Sequence, residues 1–511
     1  MICGPRHPQV GSRELTQKSR QSASFVGKGS LLYNVKDYGA LGDGSTDDTA
    51  AINAAIAAMA VVNVFGDTTG ILFFPPGRYV TSGGHTINSR CTVQGTGKDQ
   101  AILFRKAGAT ADLLTLAAAK SGVAHLGIDG NVTNAPSGGD LIVLNAGYTT
   151  VVDCFLTKSA ANGVTIGKAA GALATHLSDL IIRLCKNYGI QTTASSSSTD
   201  GMWSNIDVGQ CGKSGIRLDE GSQNLTNVHS WGNGIEDATD GHGFYLNSGS
   251  NQLANWQAET NNVHGVYVNG SGSRGNVLTG GKSWGNAACG LSILNAPQGA
   301  LVGNQFFRNG VTNTGTNSLS FSGIRNDGGT EWTITGNIVW DDTTAVSAGS
   351  YVTAPAIPYP GRAGGALTTS YAYSEAGSAD NNTISGNNFR RQRVLSGALG
   401  PSTGLVGNSN VVSGNDLGSE SLPTRSVVTG AVRAPSNSDT IIVSASQEIT
   451  SVLGHRPGRV VRIIWTNASP QPIRDNGTTL NLNGDFTPTT NDTLTLVSDG
   501  INWYELSRSA N

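Results

Sequence analysis

Charged residues are scarce in this sequence. Asp, Glu, Lys and Arg make up 13% of its 511 residues, about half of the usual share, and the formal net charge is -2. This balance gives no electrostatic reason to expect nucleic acid or an anionic membrane surface as a partner. No apolar run approaches the ~18 residues that span a bilayer, so we expect no membrane partner of any kind.

Paired cysteines and an apolar leader are missing as well. The six cysteines are scattered with no Cys-x-x-Cys spacing, which excludes a disulfide framework and a zinc site. We expect buried, reduced thiols, as suits folding in the cytosol, and neither a metal nor a cofactor. Residues 1–30 lack a continuous apolar segment, so we interpret them as a flexible leader and not as a signal peptide.

Glycine is abundant, at 69 residues, and it recurs at regular intervals. Six short segments begin with a glycine followed by an apolar residue, at successive spacings of 26, 26, 28, 22 and 25 residues. These glycines are Gly163, Gly189, Gly215, Gly243, Gly265 and Gly290. A second marker, Gly-Asn after an apolar stretch, recurs from Gly275-Asn276 to Gly414-Asn415. Each repeat therefore reads as short strands separated by turns.

A period of this length, built of strands and almost no helix, predicts an all-β solenoid of the parallel β-helix type. A leucine-rich repeat would show an LxxLxL signature, and an all-β sandwich would not keep one register over six units. A solenoid needs a cap on its open end, because a bare strand edge invites aggregation. Residues 42–61 supply a capping helix, with Ser45 or Thr46 as N-cap and with Ile52, Ile56 and Met59 on one face.

Two strings near the start carry a family resemblance. The strings "YNVKDYGALGDGSTDDTAAINAAI" (33–56) and "FPPGRY" (74–79) resemble the opening of the pectate-lyase-like right-handed β-helix superfamily, which includes phage tailspike depolymerases and mannuronan C5-epimerases. The resemblance implies a right-handed parallel β-helix over residues 31–422. It does not fix the reaction, because members of the superfamily hydrolyse, eliminate or epimerise sugars.

The repeat pattern of the sequence changes after Gly414. Strand-like runs in residues 423–511 predict a separate small β-domain. Its ending, "NDTLTLVSDGINWYELSRS" (491–509), is similar to C-terminal modules of phage tail proteins. This likeness implies a carbohydrate-binding or trimerisation role.

The repeated string SWGN, at 230–233 and 283–286, locates one outward face of the solenoid. Strand side chains alternate, so residues at matching positions of successive coils form columns that point away from the core. The first column is Gly209, Trp231, Glu259 and Trp284, and the second is Asp207, His229, Gln257 and Lys282. Glu259 is thus expected between two tryptophans, one coil to either side.

This arrangement suggests acid–base chemistry on a sugar. Indole faces beside a carboxylate suit a pyranose, and apolar neighbours would keep Glu259 protonated as a general acid. Asp207, beside His229, would be the ionised partner, two coils or ~10 Å away. This separation of the two carboxyl groups favours an inverting mechanism over a retaining one. We expect Trp231, Trp284, His229, Lys282 and Gln257 to bind substrate. Further acidic candidates are Asp219, after the Gly215 strand, and Glu236 and Asp240, on an inserted loop.

The leading functional hypothesis is an endo-acting glycoside hydrolase that depolymerises a bacterial surface or extracellular polysaccharide, located on a virion tail or outside the cell. A polysaccharide lyase or C5-epimerase acting on a uronate polymer is the first alternative, with His229 or Lys282 as base. The Asp-Pro-His-Glu string of the epimerases is absent, since Asp219-Glu220 stands in its place. A non-catalytic, glycan-binding tail adhesin is the second alternative.

We predict that the protein is an elongated homotrimer that melts cooperatively. The tailspike resemblance motivates this prediction, and the low-charge flanks of the solenoid would tolerate burial against neighbouring subunits. Analytical ultracentrifugation should show the trimer at micromolar concentration. A monomer under these conditions would refute the prediction.

Overall fold

The structure, a computed structural model, describes most of the chain. The described residues are 32–59, 69–194, 197–237, 239–310, 322–340, 371–391, 411–413, 415, 424–425, 431–433, 440–443, 448–453, 455, 457–466 and 470–509. The leader predicted at 1–30 lies outside them. Within these ranges, the structure has no helix long and apolar enough to cross a membrane.

The predicted parallel β-helix is confirmed, with about 13 turns. Each full coil contributes short strands to three parallel ladders, which we call the first, second and third faces. The first face consists of Leu32–Asn34, Thr69–Phe74, Arg90–Gly95, Gly122–Ala124, Thr150–Val152, His176–Arg183, Met202–Gly209, Asn224–Trp231, Gln252–Ala254, Val277–Thr279, Gly299–Val302, Trp332–Thr335, Thr383–Ser385 and Val411–Ser413. Strands pair only with the coils before and after them, so each column of side chains runs along the axis.

The other two faces follow in each coil. The second face consists of Asp43–Asp47, Gly77–Thr81, Ala101–Arg105, Gly127–Asp129, Phe155–Thr157, the C-terminal halves of the three eight-residue strands named above, Gln257–Glu259, Lys282–Trp284, Gln305–Phe307, Ile338–Trp340 and Asn388–Arg391. The third face consists of His85–Ile87, Leu114–Leu116, Ile142–Leu144, Val164–Ile166, Ile190–Thr192, Ile216–Leu218, Phe244–Leu246, Val266–Asn269, Leu291–Leu294, Ser322–Asp327 and Tyr371–Ala376.

Left-handed residues make the corner between the first and second faces. Asp179, Asn205 and Asn227 have φ of 55–57° in the middle of the three long strands. Asp and Asn tolerate this conformation better than most other residues, because their short polar side chains form local hydrogen bonds. Here the side chains bond from coil to coil, with Asn227 Nδ2 donating to Asn205 Oδ1 at 2.7 Å.

The capping helix forms, but it begins later than predicted. It spans Thr49–Met59, after a short 3-10 helix at Val35–Tyr38. The N-cap prediction at Ser45 or Thr46 is wrong, because the Asp43 carboxylate accepts the backbone N–H groups of both residues, each at 2.8 Å, in a tight turn. The predicted apolar face is correct, since Ile52 and Met59 are buried and Ile56 packs against the core.

Two ladders of buried asparagines line corners of the solenoid. Asn233, Asn261, Asn286 and Asn309 are joined by side-chain hydrogen bonds of 2.8, 2.9 and 2.8 Å. The Asn of each SWGN string belongs to this ladder. Four later asparagines of the Gly-Asn marker form the second ladder, with bonds of 3.1, 3.0 and 2.9 Å along Asn304, Asn337, Asn387 and Asn415. Each amide satisfies backbone and side-chain groups that the turns would otherwise leave buried and unpaired.

The interior contains the residues that the alternation predicts. Ile206, Val208, Val228, Trp256 and Ala258 are at most 1% exposed. All five cysteines within the described ranges are free thiols and buried, as expected.

The C-terminal strands form a sheet with its own core. Its strands are Thr424–Arg425, Thr440–Val443, Pro457–Trp465, Leu480–Asn481, Thr493–Asp499 and Trp503–Ser509, and Ala431–Arg433 pairs with Ser451–Leu453. Trp465 and Trp503 are fully buried in a hydrophobic cluster distinct from that of the β-helix. The domain boundary at 422 and the role of the module stay predictions.

We predict that Asn261→Ala destabilises the β-helix by roughly 1–3 kcal/mol, because it leaves amide groups of Asn233 and Asn286 buried without their partner. Chemical denaturation should show the loss. Gln252→Ala, on the exposed side of a first-face strand, is the matched control and should change stability little. Equal effects of the two substitutions would contradict a structural role for the ladder.

Candidate functional site

The strand register on the second face agrees with the predicted columns. Asp207 pairs with His229, His229 with Gln257, and Gln257 with Lys282. In the neighbouring column, Gly209, Trp231, Glu259 and Trp284 follow one another. The spacing from the repeat glycines, together with the repeated SWGN string, therefore placed Glu259 correctly between two tryptophan positions.

A chain of polar contacts links the predicted catalytic residues of this face. The Arg183 guanidinium donates to the Asp207 carboxylate, which also accepts from Trp231 Nε1 at 2.9 Å. His229 lies between the two acids, with Nδ1 3.5 Å from Asp207 Oδ1 and Nε2 3.5 Å from Glu259 Oε1. Its Nε2 atom is buried and has no hydrogen-bond partner within the described part of the chain. We call these five residues the second-face cluster.

The two indoles do not form the expected sandwich around Glu259. Trp231 leans the other way, across the bare backbone of Gly209, where an added Cβ would lie 2.6 Å from its ring. The ring then meets the Arg183 guanidinium, 4.9 Å from its centroid. Glycine at position 209 thus creates the space that lets Trp231 hold Asp207.

Trp284 takes part in an aromatic stack. Its ring lies 5.7 Å from that of Phe307, and Phe307 lies 4.6 Å from Trp340, with interplanar angles of 10° and 8°. These rings cover one another's faces along three successive coils. The stack stabilises the second face, since offset aromatic pairs add to simple burial.

The structure separates the other predicted acids from Glu259 and places two of them on the third face. Arg217 Nε donates to both oxygens of Asp219 at 2.9 and 2.8 Å, and its Nη1 lies 3.3 Å from Asp240 Oδ2. Asp240 also accepts from the Tyr188 hydroxyl and the Ser214 hydroxyl, each at 2.6 Å. Two carboxylates thus converge on one guanidinium.

The inserted loop before Gly243 brings Asp240 to this point. Asp237 accepts the backbone N–H groups of Thr239 and Asp240 at 2.9 and 3.2 Å, which turns the loop back towards the third face. Glu236, on the same loop, lines a pocket of about 270 Å³ together with Lys158 and Lys186. Its position therefore differs from that of Asp240, although the sequence grouped them.

Two repeated strands add histidines and tyrosines next to this pair of acids. The strings HGFYLN and HGVYVN place His242 against His264, with ring centroids 5.3 Å apart, and Tyr245 against Tyr267, 5.1 Å apart. Burial lowers the pKa of His242 and lowers that of His264 to about 3, so both rings are neutral near pH 7. Burial also raises the pKa of both tyrosines.

The hydrogen bonds of these histidines fix their tautomers. His242 Nδ1 accepts the backbone N–H of His264 at 3.3 Å, and His264 Nδ1 accepts that of Cys289 at 3.1 Å. A neutral imidazole that accepts at Nδ1 carries its proton on Nε2. Both rings are therefore hydrogen-bond donors at Nε2.

Amides and a second arginine complete the third face. Gln191 and Asn247 donate to Asp219 at 3.1 and 2.9 Å, and Asn269 donates to the Tyr245 hydroxyl at 2.9 Å. Further along the axis, Arg325 forms an ion pair with Asp327 at 2.5 Å.

Glu220 follows Asp219 in the chain. Partial burial and the negative charge of Asp219 raise the pKa of its carboxyl. We call the third-face cluster the set formed by Tyr188, Arg217, Asp219, Glu220, Asp240, His242, Tyr245, His264 and Tyr267.

Sequence reasoning missed most of this cluster. It identified Asp219 and Asp240 but not Arg217 or the paired histidines and tyrosines. A signal was present, because the same column counting applied to HGFYLN and HGVYVN aligns His, Tyr and Asn in adjacent coils. Within the described residues, no group of three or more His, Cys, Asp or Glu side chains is arranged to hold a metal ion.

The lowered pKa of His264 predicts a pH-dependent stability. In the unfolded chain His264 titrates near 6.5, whereas in the folded protein it titrates near 3, so the free energy of unfolding should fall as the pH drops through this window. His264→Asn keeps a hydrogen-bond acceptor but cannot titrate, so its stability should fall less steeply. Denaturation between pH 3 and 7 measures both slopes, and equal slopes would contradict the assignment.

Comparison with known proteins finds a family model that matches the first part of the β-helix. The family model described as "Rhamnogalacturonase A/epimerase, pectate lyase-like" matches residues 32–267. Mannuronan C5-epimerase AlgE5 of Azotobacter vinelandii is 35% identical over 116 residues, which are 20% of this chain and 11% of that protein. A probable glucan endo-1,3-beta-glucosidase of Arthroderma benhamiae is 45% identical over 82 residues, 14% of this chain and 9% of that protein.

A solved structure extends the likeness in fold. The A-module of mannuronan C-5 epimerase AlgE6 from Azotobacter vinelandii superposes with a TM-score of 0.59 at 19% identity, covering 75% of this chain and 98% of the module. The chain spans only about a tenth of the length of the two curated relatives. The matched segment and the coil architecture agree: residues 32–267 match the pectate-lyase-like family model, and the chain folds as a parallel β-helix.

Proposed function

We propose that this protein is an endo-acting glycoside hydrolase of extracellular or bacterial surface polysaccharide, with its active site in the third-face cluster. The family match and the relatives support a polysaccharide-active enzyme in general. The observation that carries the proposal is the convergence of Asp219 and Asp240 on Arg217, next to two neutral histidines and two partly buried tyrosines. Strongly perturbed titratable groups concentrate at functional sites.

The environments of the acids suggest distinct roles. Asp240 accepts hydrogen bonds from two hydroxyls and a guanidinium, which hold its carboxylate in place as the general base. Glu220, whose pKa is raised, is the proton donor. Asp219 is a positioning residue, since its charge raises the pKa of Glu220 and its carboxylate orients Arg217.

The proposed reaction is simple hydrolysis. Glu220 gives its proton to the glycosidic oxygen as the bond between that oxygen and the anomeric carbon breaks. Asp240 takes a proton from water, whose oxygen forms the new bond to the anomeric carbon. The polymer gains one reducing end per cleavage, and the two carboxyl groups exchange their protonation states before the next turnover.

A uronate lyase or C5-epimerase is the second candidate. The similarity to the alginate-acting enzymes and the His and Tyr pairs favour it. Such a reaction needs a base for the C5 proton and a cation to neutralise the uronate. On the third face, however, Arg217 and Arg325 are already paired with aspartates, and the two histidines present N–H donors.

The second-face cluster is the competing location for hydrolysis. Glu259 as acid and Asp207 as base would work through His229, which lies within 3.5 Å of both. Asp207 is held by Arg183 and Trp231, much as Asp240 is held by Arg217 and two hydroxyls. The third face differs in that the pKa of Glu220 is raised and two neutral histidines lie close by. We propose instead that the second face has a supporting role.

The setting of the enzyme is also part of the proposal. We propose a homotrimer on a virion tail or in the extracellular space, with polysaccharide as its partner. A purely adhesive protein is the remaining alternative, and it would bind glycan without cleaving it.

A panel of polysaccharides distinguishes these functions. New reducing ends without new ultraviolet absorbance would indicate hydrolysis. New reducing ends together with the ultraviolet absorbance of an unsaturated uronate would indicate elimination. Binding without cleavage would indicate an adhesin. We expect the first outcome.

Paired variants locate the active site. Asp240→Asn should lower turnover by about 10²–10⁴-fold with the fold unchanged, because the amide cannot accept the proton from water. Glu259→Gln is the matched control on the second face and should retain near-normal turnover. The reverse result, with Glu259→Gln inactive and Asp240→Asn active, would place catalysis on the second face and reject the proposal.

A further inference from the structure

Two arginines mark the ends of one segment of the third face. Arg217 and Arg325 occupy the same outward column, four coils apart, with Tyr245, Tyr267 and Ser292 between them. At ~4.8 Å per coil, the two guanidiniums bracket ~19 Å of surface. Roughly one sugar of an extended glycan would lie over each coil.

Neither arginine is available as an isolated positive charge. Arg217 is bound to Asp219 at 2.8 Å and lies 3.3 Å from Asp240, and Arg325 is bound to Asp327 at 2.5 Å. These pairs are partly buried, with side chains at most 24% exposed, so solvent screens them less than surface pairs. Two guanidiniums face three carboxylates, and Lys213, whose Nζ lies 5.5 Å from the Tyr188 ring centroid, adds a cation beside the Arg217 end of the cluster.

The groups between the arginines add no positive charge. Burial keeps His242 and His264 neutral. Tyr245 and Asn269 are joined through hydroxyl and amide at 2.9 Å, and they offer the donors and acceptors that sugar hydroxyls need. Partly buried phenol rings also suit the apolar faces of pyranoses.

We infer that the glycan segment bound between Arg217 and Arg325 is made of uncharged sugars, so the substrate is a neutral polysaccharide or one whose acidic groups lie outside this segment. A uronate laid over these coils would lose its hydration and meet three carboxylates and two arginines that are already paired with them, an arrangement that costs affinity. The inference rests on the proposed function of the third-face cluster and decides its substrate class.

Affinity electrophoresis tests the inference without requiring turnover. Glu220→Gln is the protein of choice, because it removes the proposed proton donor while conserving the charge of a protonated carboxyl. Gels containing neutral polymers (a β-glucan, a galactomannan and a mannan) should retard it. Gels containing alginate or polygalacturonate should not retard it at 0.15 M salt, where long-range steering is screened.

A charge-unmasking variant sharpens the test. Asp327→Asn removes the partner of Arg325, so it should strengthen binding to the polyuronates by about tenfold, in a salt-dependent manner. Asp99→Asn makes the same change of charge at an exposed turn outside the third face and should have no such effect.

Two results would overturn the inference. One is retardation of Glu220→Gln by polyuronates in preference to the neutral polymers. The other is an equal response of Asp327→Asn and Asp99→Asn. A different result would contradict the proposed function alone. In that case neutral polymers would bind, but the wild-type protein would release no reducing ends from them. Binding to no polymer of either class would reject both.

Discussion

Parallel stacking of one coil on the next is the constraint on which the rest of this structure depends. Each strand pairs only with the same strand of the neighbouring coils, so a residue's position within its coil fixes the face and column that it occupies. The asparagine ladders and left-handed corners serve this stacking, because they satisfy the backbone where a coil turns. The chemistry of each face then depends on which side chains lie next to one another along the solenoid axis.

The two polar clusters are assembled in different ways, one by regular columns and the other with the help of an inserted loop. On the second face, regular columns alone bring Asp207, His229 and Glu259 into line. On the third face, an inserted loop delivers Asp240 to the column of Arg217, and the neighbouring coils supply neutral donors. The second arrangement has more buried, strongly perturbed groups, which is why the proposed active site lies there.

The sequence predicts the fold and the second-face register well, because a regular repeat converts spacing directly into position. Prediction from the sequence fails where a side chain can contact any of several neighbours, because spacing does not show which contact forms. The helix start was wrong because Asp43 captures the amides of Ser45 and Thr46. Trp231 leans away from Glu259 because Gly209 leaves room for it, and this depends on contacts that no spacing reveals. Asp240 was suspected from its loop, but its meeting with Arg217 requires the path of that loop in space.

The ladder of Asn233, Asn261, Asn286 and Asn309 contacts only adjacent rungs, so each rung is interchangeable with the next. A whole coil gained or lost between Tyr267 and Ser292 would leave the remaining rungs joined while moving Arg325 by one step relative to Arg217. Divergence of such a protein can therefore proceed by integral changes in the length of its binding surface, with each step adding or removing room for about one sugar.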